Sequence, residues 1–303
     1  MKLLVTGAIQ WTKEQLDCLV ELGHEVIYVQ DERIPLKEQN IDVKEVEGVI
    51  CNGLFLYNNI EEFINLKYIQ LTSAGLDRVP LEYIKQKNIK LFNARGVYSI
   101  PMAEYTILGV LEIYKKSNVF FQNQKNHIWK KQRDLWELVN KKIAIVGTGD
   151  VGYQVAKRFK AFDAKIIGFD LFPREIEYFD KVNSLDELSN EINNIDILIL
   201  TAPHSKYTHH IVNEELLKNA KNTLLIVNIA RGGLIDQECL IHALDQNRII
   251  GAVLDVFEDE PLSSTNVLWD KDNVIITPHN SFVGEYNFKR MHQVVIKNLK
   301  NEY

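Results

Sequence analysis

Residues 142–152 read Lys142-Ile143-Ala144-Ile145-Val146-Gly147-Thr148-Gly149-Asp150-Val151-Gly152. An apolar strand runs directly into Gly-x-Gly-x-x-Gly, and the residues that follow, through Phe159, predict a helix. In that setting each glycine has its own task. Gly147 permits the tight turn, Gly149 lets a pyrophosphate approach the backbone, and Gly152 lets the helix pack close to the strand. The helix N-terminus then faces the phosphates. Lys165–Phe169 predicts the next strand. Asp170 ends it about 20 residues beyond the loop, where a carboxylate accepts from adenosine ribose hydroxyls. The stretch therefore predicts a dinucleotide site made by Gly147, Thr148, Gly149, Asp150, Val151, Gly152 and Asp170. A carboxylate at Asp170 repels the additional phosphate of NADP, so NAD is the expected cofactor, with Arg174 the one nearby cation that argues the other way.

Outward from this loop the pattern repeats. Short apolar strands alternate with amphipathic helical stretches, which predicts parallel sheets covered by helices. Upstream the expected strands are Lys2–Val5, Glu25–Val29, Gly48–Cys51, Tyr68–Thr72 and Lys90–Phe92, with a helix over Thr12–Leu22. Downstream, after the glycine-loop strand and Lys165–Phe169, they are Ile195–Leu200, Thr223–Ile229, Gly251–Val256 and Asn273–Ile276. Two α/β units joined near Asn93–Pro101 is the economical description. Between them Pro101–Phe121 reads as one helix, apolar around much of its girth. It belongs either between domains or subunits, or in the centre of a core. A polar, aromatic-dotted connection follows over Gln122–Asn140, and the last stretch, Gly284–Leu299, predicts a helix.

Bulk properties narrow the function. The chain has 303 residues, 25% charged and 46% hydrophobic, with a net charge of -6. That is a globular profile with no basic face for nucleic acid. No apolar run approaches the roughly 18 residues of a membrane helix, and Thr6-Gly7 ends the first apolar run too early for a signal peptide. Cys18, Cys51 and Cys239 stand far apart, without a zinc or disulfide pattern, so a reducing, cytoplasmic location is expected. His204, His209 and His210 lack acidic or cysteine partners at ligand spacing, and no metal is expected.

Further motifs lie along the chain: Ser73-Ala74-Gly75-Leu76-Asp77, Ala103-Glu104, Asn228-Ile229-Ala230-Arg231-Gly232-Gly233-Leu234-Ile235-Asp236, Leu254-Asp255-Val256-Phe257, Glu260-Pro261-Leu262 and Thr277-Pro278-His279. In order and interval the sequence resembles the D-isomer-specific 2-hydroxyacid dehydrogenase family over nearly its whole length. The resemblance implies two doubly wound parallel-sheet domains. A Rossmann dinucleotide-binding domain over 98–281 would be joined to a discontinuous, flavodoxin-like substrate domain over 1–97 and 282–303. It further implies a homodimer and a small 2-oxo acid or 2-hydroxy acid as the only other partner, with neither nucleic acid nor membrane.

The chemistry of that reaction suits three residues. Reducing a 2-oxo acid needs a hydride, a proton for the developing alkoxide, and donors or positive charge for the carbonyl and carboxylate. Histidine can supply the proton, a carboxylate can hold the imidazole, and arginine offers a rigid fork of donors. Arg231, Glu260 and His279 each follow a predicted strand, and ligands of open α/β sheets bind beyond the carboxyl ends of strands. The resemblance implies the same roles: Arg231 binds substrate, Glu260 partners the histidine, and His279 exchanges the proton. It also implies that the amides of Ala74 and Gly75, in the loop from Ser73, hold the substrate carboxylate. Ala202, Pro203, Thr208 and Ala230 would line the cofactor. Asp255 matches a contact to the nicotinamide amide, although an acid at a strand end equally caps the next segment.

Two departures bear on the substrate. Members acting on phosphorylated hydroxy acids often carry Arg-Ser after the third strand of the first domain. Here Asn52-Gly53 stands there, and Leu54 and Phe55 suggest a less polar side pocket. Asn280-Ser281-Phe282 follows His279 where small residues are common, which predicts a reshaped site. The alternative reading is an NAD-sensing interaction protein resembling the C-terminal-binding-protein corepressors.

Overall fold

Short runs of Val, Ile and Leu, buried on both faces, become the strands of two parallel sheets. The computed structural model describes residues 1–302. Its strands are β1 (Lys2–Thr6), β2 (Glu25–Val29), β3 (Gly48–Cys51), β4 (Tyr68–Leu71), β5 (Lys90–Phe92), β6 (Lys142–Val146), β7 (Lys165–Asp170), β8 (Lys181–Ser184), β9 (Ile197–Leu200), β10 (Leu225–Asn228), β11 (Gly251–Leu254) and β12 (Val274–Ile276). Among the described residues they form a five-stranded sheet, β2-β1-β3-β4-β5, and a seven-stranded sheet, β12-β11-β10-β9-β6-β7-β8. Neighbouring strands run parallel throughout, as the doubly wound expectation requires.

The chain divides into two units, one made of Met1–Tyr98 with the segment from Gly284 onward, the other of Ser99–Val283. In the first unit, alternate residues of each strand feed opposite cores. Leu4, Val49, Cys51, Ile69 and Leu71 face one side. Leu3, Val5, Ile50 and Tyr68 face the other, where Met291, Val295 and Leu299 of the helix Asn287–Glu302 join them. Arg290 fastens that helix by donating from Nε to the Val97 carbonyl at 2.7 Å. In the second unit Ala144, Val146, Leu198 and Leu254 serve one core, and Ile143, Ile145, Ile199 and Val253 the other.

Four expectations are corrected. The helix read over Pro101–Phe121 spans Ser99–Tyr114, and a second helix covers Ser117–Lys125. Lys116 breaks the run by entering the left-handed region at φ 52°. The Lys115 ammonium donates to the Trp136 carbonyl at 2.6 Å, and Lys116 pairs with Asp134, which ties the break to the following segment. Neither proline nor glycine marks the site, so the pattern conceals it. Ala103, Val110 and Tyr114 of the first helix are buried in the core of the second unit, which favours the core reading. Strand β8, Lys-Val-Asn-Ser, is too polar for periodicity to find and lies at a sheet edge. The final helix begins at Asn287 rather than Gly284. Leu54 does not line a side pocket: it is fully buried, and Phe55 packs edge-on against Phe63 in the same core.

Among the described residues no helix is long and apolar enough to cross a membrane. The helix Ser99–Tyr114 meets the sheet through Gly109, where an added Cβ would lie 2.5 Å from Val253 Cγ1. Gly109→Leu is therefore expected to cost about 1–3 kcal/mol through overpacking, even though leucine is the better helix former. Equilibrium unfolding in urea measures it, and a variant as stable as the parent would contradict this packing.

Candidate active site

The carboxyl edge of the seven-stranded sheet collects the predicted residues of the second unit. Its order reverses between β6 and β9, the position where such sheets take ligands. Gly147 turns at φ 93°, and a Cβ there would lie 2.6 Å from the Ala202 amide, so the loop after β6 touches the loop after β9. Gly152 is equally constrained, its missing Cβ 2.2 Å from the Gly147 carbonyl oxygen. At Gly149 a Cβ would meet nothing within 4 Å. Gly149 is exposed and precedes the helix Asp150–Lys160, which has no side-chain cap. An open backbone at an uncapped helix start suits a pyrophosphate, so these residues fit a dinucleotide.

Asp170 closes β7. Its Oδ2 accepts from the Thr148 amide at 2.8 Å and the Thr148 hydroxyl at 2.9 Å, and its Oδ1 accepts from the Phe172 amide at 3.1 Å. Burial pushes its pKa up, but these donors and the charge of Arg174 outweigh that and hold the carboxyl below its ordinary value. Thr148 is 2% exposed and braces Asp170 rather than facing open space. Thr208 is also buried. Its hydroxyl donates to the Pro203 carbonyl at 2.7 Å and accepts from the Ser205 amide at 2.8 Å, shaping the loop that carries exposed Pro203.

Arg231, Glu260 and His279 follow β10, β11 and β12, three neighbouring strands. His279 Nδ1 lies 2.9 Å from Glu260 Oε2, and the other oxygen of Glu260 accepts from the Phe257 amide at 3.1 Å. Of the three adjacent acids, Glu258 turns instead to His210, with Oε1 2.6 Å from Nε2. His209 stacks on His210 with ring centroids 3.9 Å apart and reaches His204 Nε2 through Nδ1 at 3.0 Å. Sequence spacing did not reveal Glu258 as their acidic neighbour. No group of three or more His, Cys, Asp or Glu among the described residues is arranged to hold a metal. The Arg231 guanidinium donates from Nη1 to the Ala230 carbonyl at 2.7 Å, while the Ala230 amide donates to Asn228 Oδ1 at 3.1 Å.

His279 sits in the left-handed region at φ 52°. Asp255 holds it there. The His279 amide donates to the Asp255 carbonyl at 2.8 Å, and the Asp255 carboxylate accepts from the amides of Asn280 at 2.7 Å and Ser281 at 2.9 Å. Its Oδ1 also accepts from the Thr277 hydroxyl at 2.6 Å, which in turn is 2.6 Å from the Tyr105 hydroxyl. Asp255 is fully buried, and its carboxylate caps the turn that carries His279. The rings of Phe282 and His279 pack at an interplanar angle of 86°, with centroids 6.0 Å apart.

In the first unit, Ser73, Ala74 and Gly75 leave the carboxyl end of β4. Ser73 Oγ donates to the Gly75 carbonyl at 3.0 Å, and Asn93 Nδ2 to the Ala74 carbonyl at 2.7 Å. The amides of Ala74 and Gly75 donate to no acceptor among the described residues. Asn52 and Gly53, after β3, differ: both amides donate to Glu32, a residue that sequence reasoning missed.

Two family models match this chain. Residues 4–164 match the catalytic domain, and residues 107–281 the NAD binding domain, of D-isomer specific 2-hydroxyacid dehydrogenases. The chain belongs to that family. NAD is accordingly its cofactor. A glyoxylate reductase of Thermofilum pendens is 29% identical over 296 residues, covering 94% of this chain and 86% of that protein. A D-3-phosphoglycerate dehydrogenase of Methanocaldococcus jannaschii is 35% identical over 99% of this chain, which spans 57% of that longer protein. Among solved structures, D-lactate dehydrogenase of Aquifex aeolicus with NAD and lactic acid superposes with a TM-score of 0.77 at 25% identity, covering 99% of this chain and 94% of that one.

The Arg231 and Glu260 segments touch through Gly232, whose missing Cβ would lie 1.9 Å from the Phe257 carbonyl carbon. Because that neighbour is backbone, Gly232→Ala must push the two loops apart, at an expected cost of about 2 kcal/mol or more. A lowered melting temperature together with faster exchange of the Phe257 amide is the expected result. Unchanged exchange at Phe257 would contradict the contact.

Proposed function

We propose that this dehydrogenase interconverts a small, non-phosphorylated 2-oxo acid and its D-2-hydroxy acid, with His279 exchanging the proton. The observation that carries the reading is the 2.9 Å pair between His279 Nδ1 and Glu260 Oε2, beside the Arg231 loop. With Nδ1 engaged by the carboxylate, Nε2 is the ring nitrogen left to face the substrate oxygen. Glu260 fixes the ring orientation. Arg231 polarises the oxo group and binds the substrate carboxylate. In the first unit, Ala74 and Gly75 offer amides suited to a carboxylate, with Ser73 shaping their loop. NAD(H), held by Gly147 to Gly152, Asp170, Pro203 and Ala230, supplies or accepts the hydride when bound. The absence of an arginine at Asn52-Gly53 supports the non-phosphorylated class, while relatives with glyoxylate, lactate and phosphoglycerate activities leave the individual acid to experiment.

The test is NADH oxidation across a panel of glyoxylate, pyruvate, hydroxypyruvate and branched 2-oxo acids. His279→Ala should lower kcat by about 10²–10⁴ with NADH affinity retained, and Arg231→Ala should also raise KM. Turnover that survives in the His279 variant would sink the mechanism. NADH binding with no turnover on any acid would instead favour the nucleotide-sensing alternative.

We also propose a cytoplasmic homodimer. The free thiols of Cys18, Cys51 and Cys239 support the compartment. Phe121, in the helix Ser117–Lys125, and Ile128 and Trp129 just after it support the dimer: all three are exposed, Trp129 at 99%. Light scattering after chromatography should give twice the chain mass, and Trp129→Ser should shift it toward the monomer. A monomeric parent would refute the assembly.

A further inference from the structure

The five-stranded sheet reverses its order between β1 and β3, so the crevice beyond those strands is its natural ligand position. A carboxylate of the chain itself occupies it. Glu32, 8% exposed, follows β2 and reaches across the end of β1 to the loop after β3. Its Oε2 accepts from the Thr6 hydroxyl at 2.7 Å and the Asn52 amide at 3.0 Å, and its Oε1 accepts from the Gly53 amide at 2.5 Å. No ion pair to Glu32 is formed among the described residues; the guanidinium of adjacent Arg33 is taken by Asp31, with both contacts at 2.9 Å. The carboxylate is therefore buried and held by two backbone amides and the Thr6 hydroxyl, with no ion pair of its own among the described residues.

The next loop along the edge has the opposite character. Thr72, at the end of β4, donates its amide to the Cys51 carbonyl at 2.8 Å, so the loops after β3 and β4 are neighbours. Strands so paired are about 4.8 Å apart. The amides of Ala74 and Gly75 are open to an anion, while those of Asn52 and Gly53 are already satisfied by one. An anionic ligand group finds donors in the loop of Ala74 and Gly75 and, a strand away, a carboxylate whose neighbouring amides are already taken.

We infer that Glu32 is a specificity-determining residue that restricts the substrate to 2-oxo acids with one anionic group and an uncharged tail. The inference rests on the reading that Ala74 and Gly75 receive the substrate carboxylate. A phosphate at the far end of such a substrate would approach the Glu32 carboxylate and meet like-charge repulsion in a poorly screened setting.

The experiment compares hydroxypyruvate with 3-phosphohydroxypyruvate. The parent should prefer the unphosphorylated acid by roughly a hundredfold or more in kcat/KM. Glu32→Gln, neutral and nearly isosteric, should narrow that preference at least about tenfold, chiefly through a lower KM for the phosphorylated acid. Asn52→Lys, which leaves Glu32 and its backbone donors in place, should narrow it likewise and serves if the glutamine variant does not fold. A parent that reduces both acids equally, or variants that slow both in proportion, would overturn the inference and leave Glu32 a structural pin. If the parent reduces no 2-oxo acid, the proposed function fails and the inference is judged by inorganic phosphate. Phosphate should then raise the melting temperature of Glu32→Gln more than that of the parent, and equal shifts would overturn it.

Discussion

Asp255 ends β11 with a carboxylate that has no exposed surface and accepts from Thr277, Asn280 and Ser281. A buried charge without such donors would cost several kcal/mol, so these contacts are a condition of the fold and not an ornament of it. They also dictate where His279 lies. A histidine at φ 52° gives up about 1 kcal/mol or more relative to relaxed backbone, and it persists only where its surroundings over-determine it. Here the amide of His279 is held by the Asp255 carbonyl, and the two amides after it by the Asp255 side chain. Glu260 then needs only to meet a ring whose backbone is already fixed. Tyr105 completes the clamp from the helix Ser99–Tyr114, through the Thr277 hydroxyl, so the position of the histidine is tied to the core of its unit.

The remaining constraint on this edge is steric. The loops after β6 and β9 meet at Gly147 and Ala202, and those after β10 and β11 meet at Gly232 and Phe257. In both places the contact is so close that no side chain fits between. Backbone against backbone leaves little room for the loops to slide, which suits a site whose groups must be held to fractions of an ångström. At Gly149, by contrast, the same kind of residue has empty space beside it.

Such short-range constraints are what a sequence displays best. Gly147, Gly149 and Gly152 fall within six positions of a strand and a helix start, so spacing alone exposes them, and Arg231, Glu260 and His279 follow recognisable strand ends. Features that depend on contacts across the fold were less legible. The helix ends at Lys116 because Lys115 reaches the Trp136 carbonyl and Lys116 pairs with Asp134, with no breaker residue to announce it. Strand β8 pairs through its backbone while its side chains look like a loop. Leu54 looks like a pocket wall until the packing beneath it is known. Asp255 was ambiguous for a deeper reason: a cap and a ligand contact both place an acid at the end of a strand.

Glu32 belongs with these hidden features. It lies in Asp31-Glu32-Arg33, a charged run that reads as solvated surface, and its partners are Thr6, Asn52 and Gly53 on two other strand ends. Parallel strands leave amides unpaired where they end, and each must find an acceptor in the protein, in water or in a ligand. In this chain carboxylates answer many of them. Asp170 takes Thr148 and Phe172, Asp255 takes Asn280 and Ser281, and Glu32 takes Asn52 and Gly53. The pattern of acids thus decides which amides stay available. Gly149 faces open space and the amides of Ala74 and Gly75 have no acceptor among the described residues, so the protein's own negative charges outline, by exclusion, where a ligand's negative charges can go.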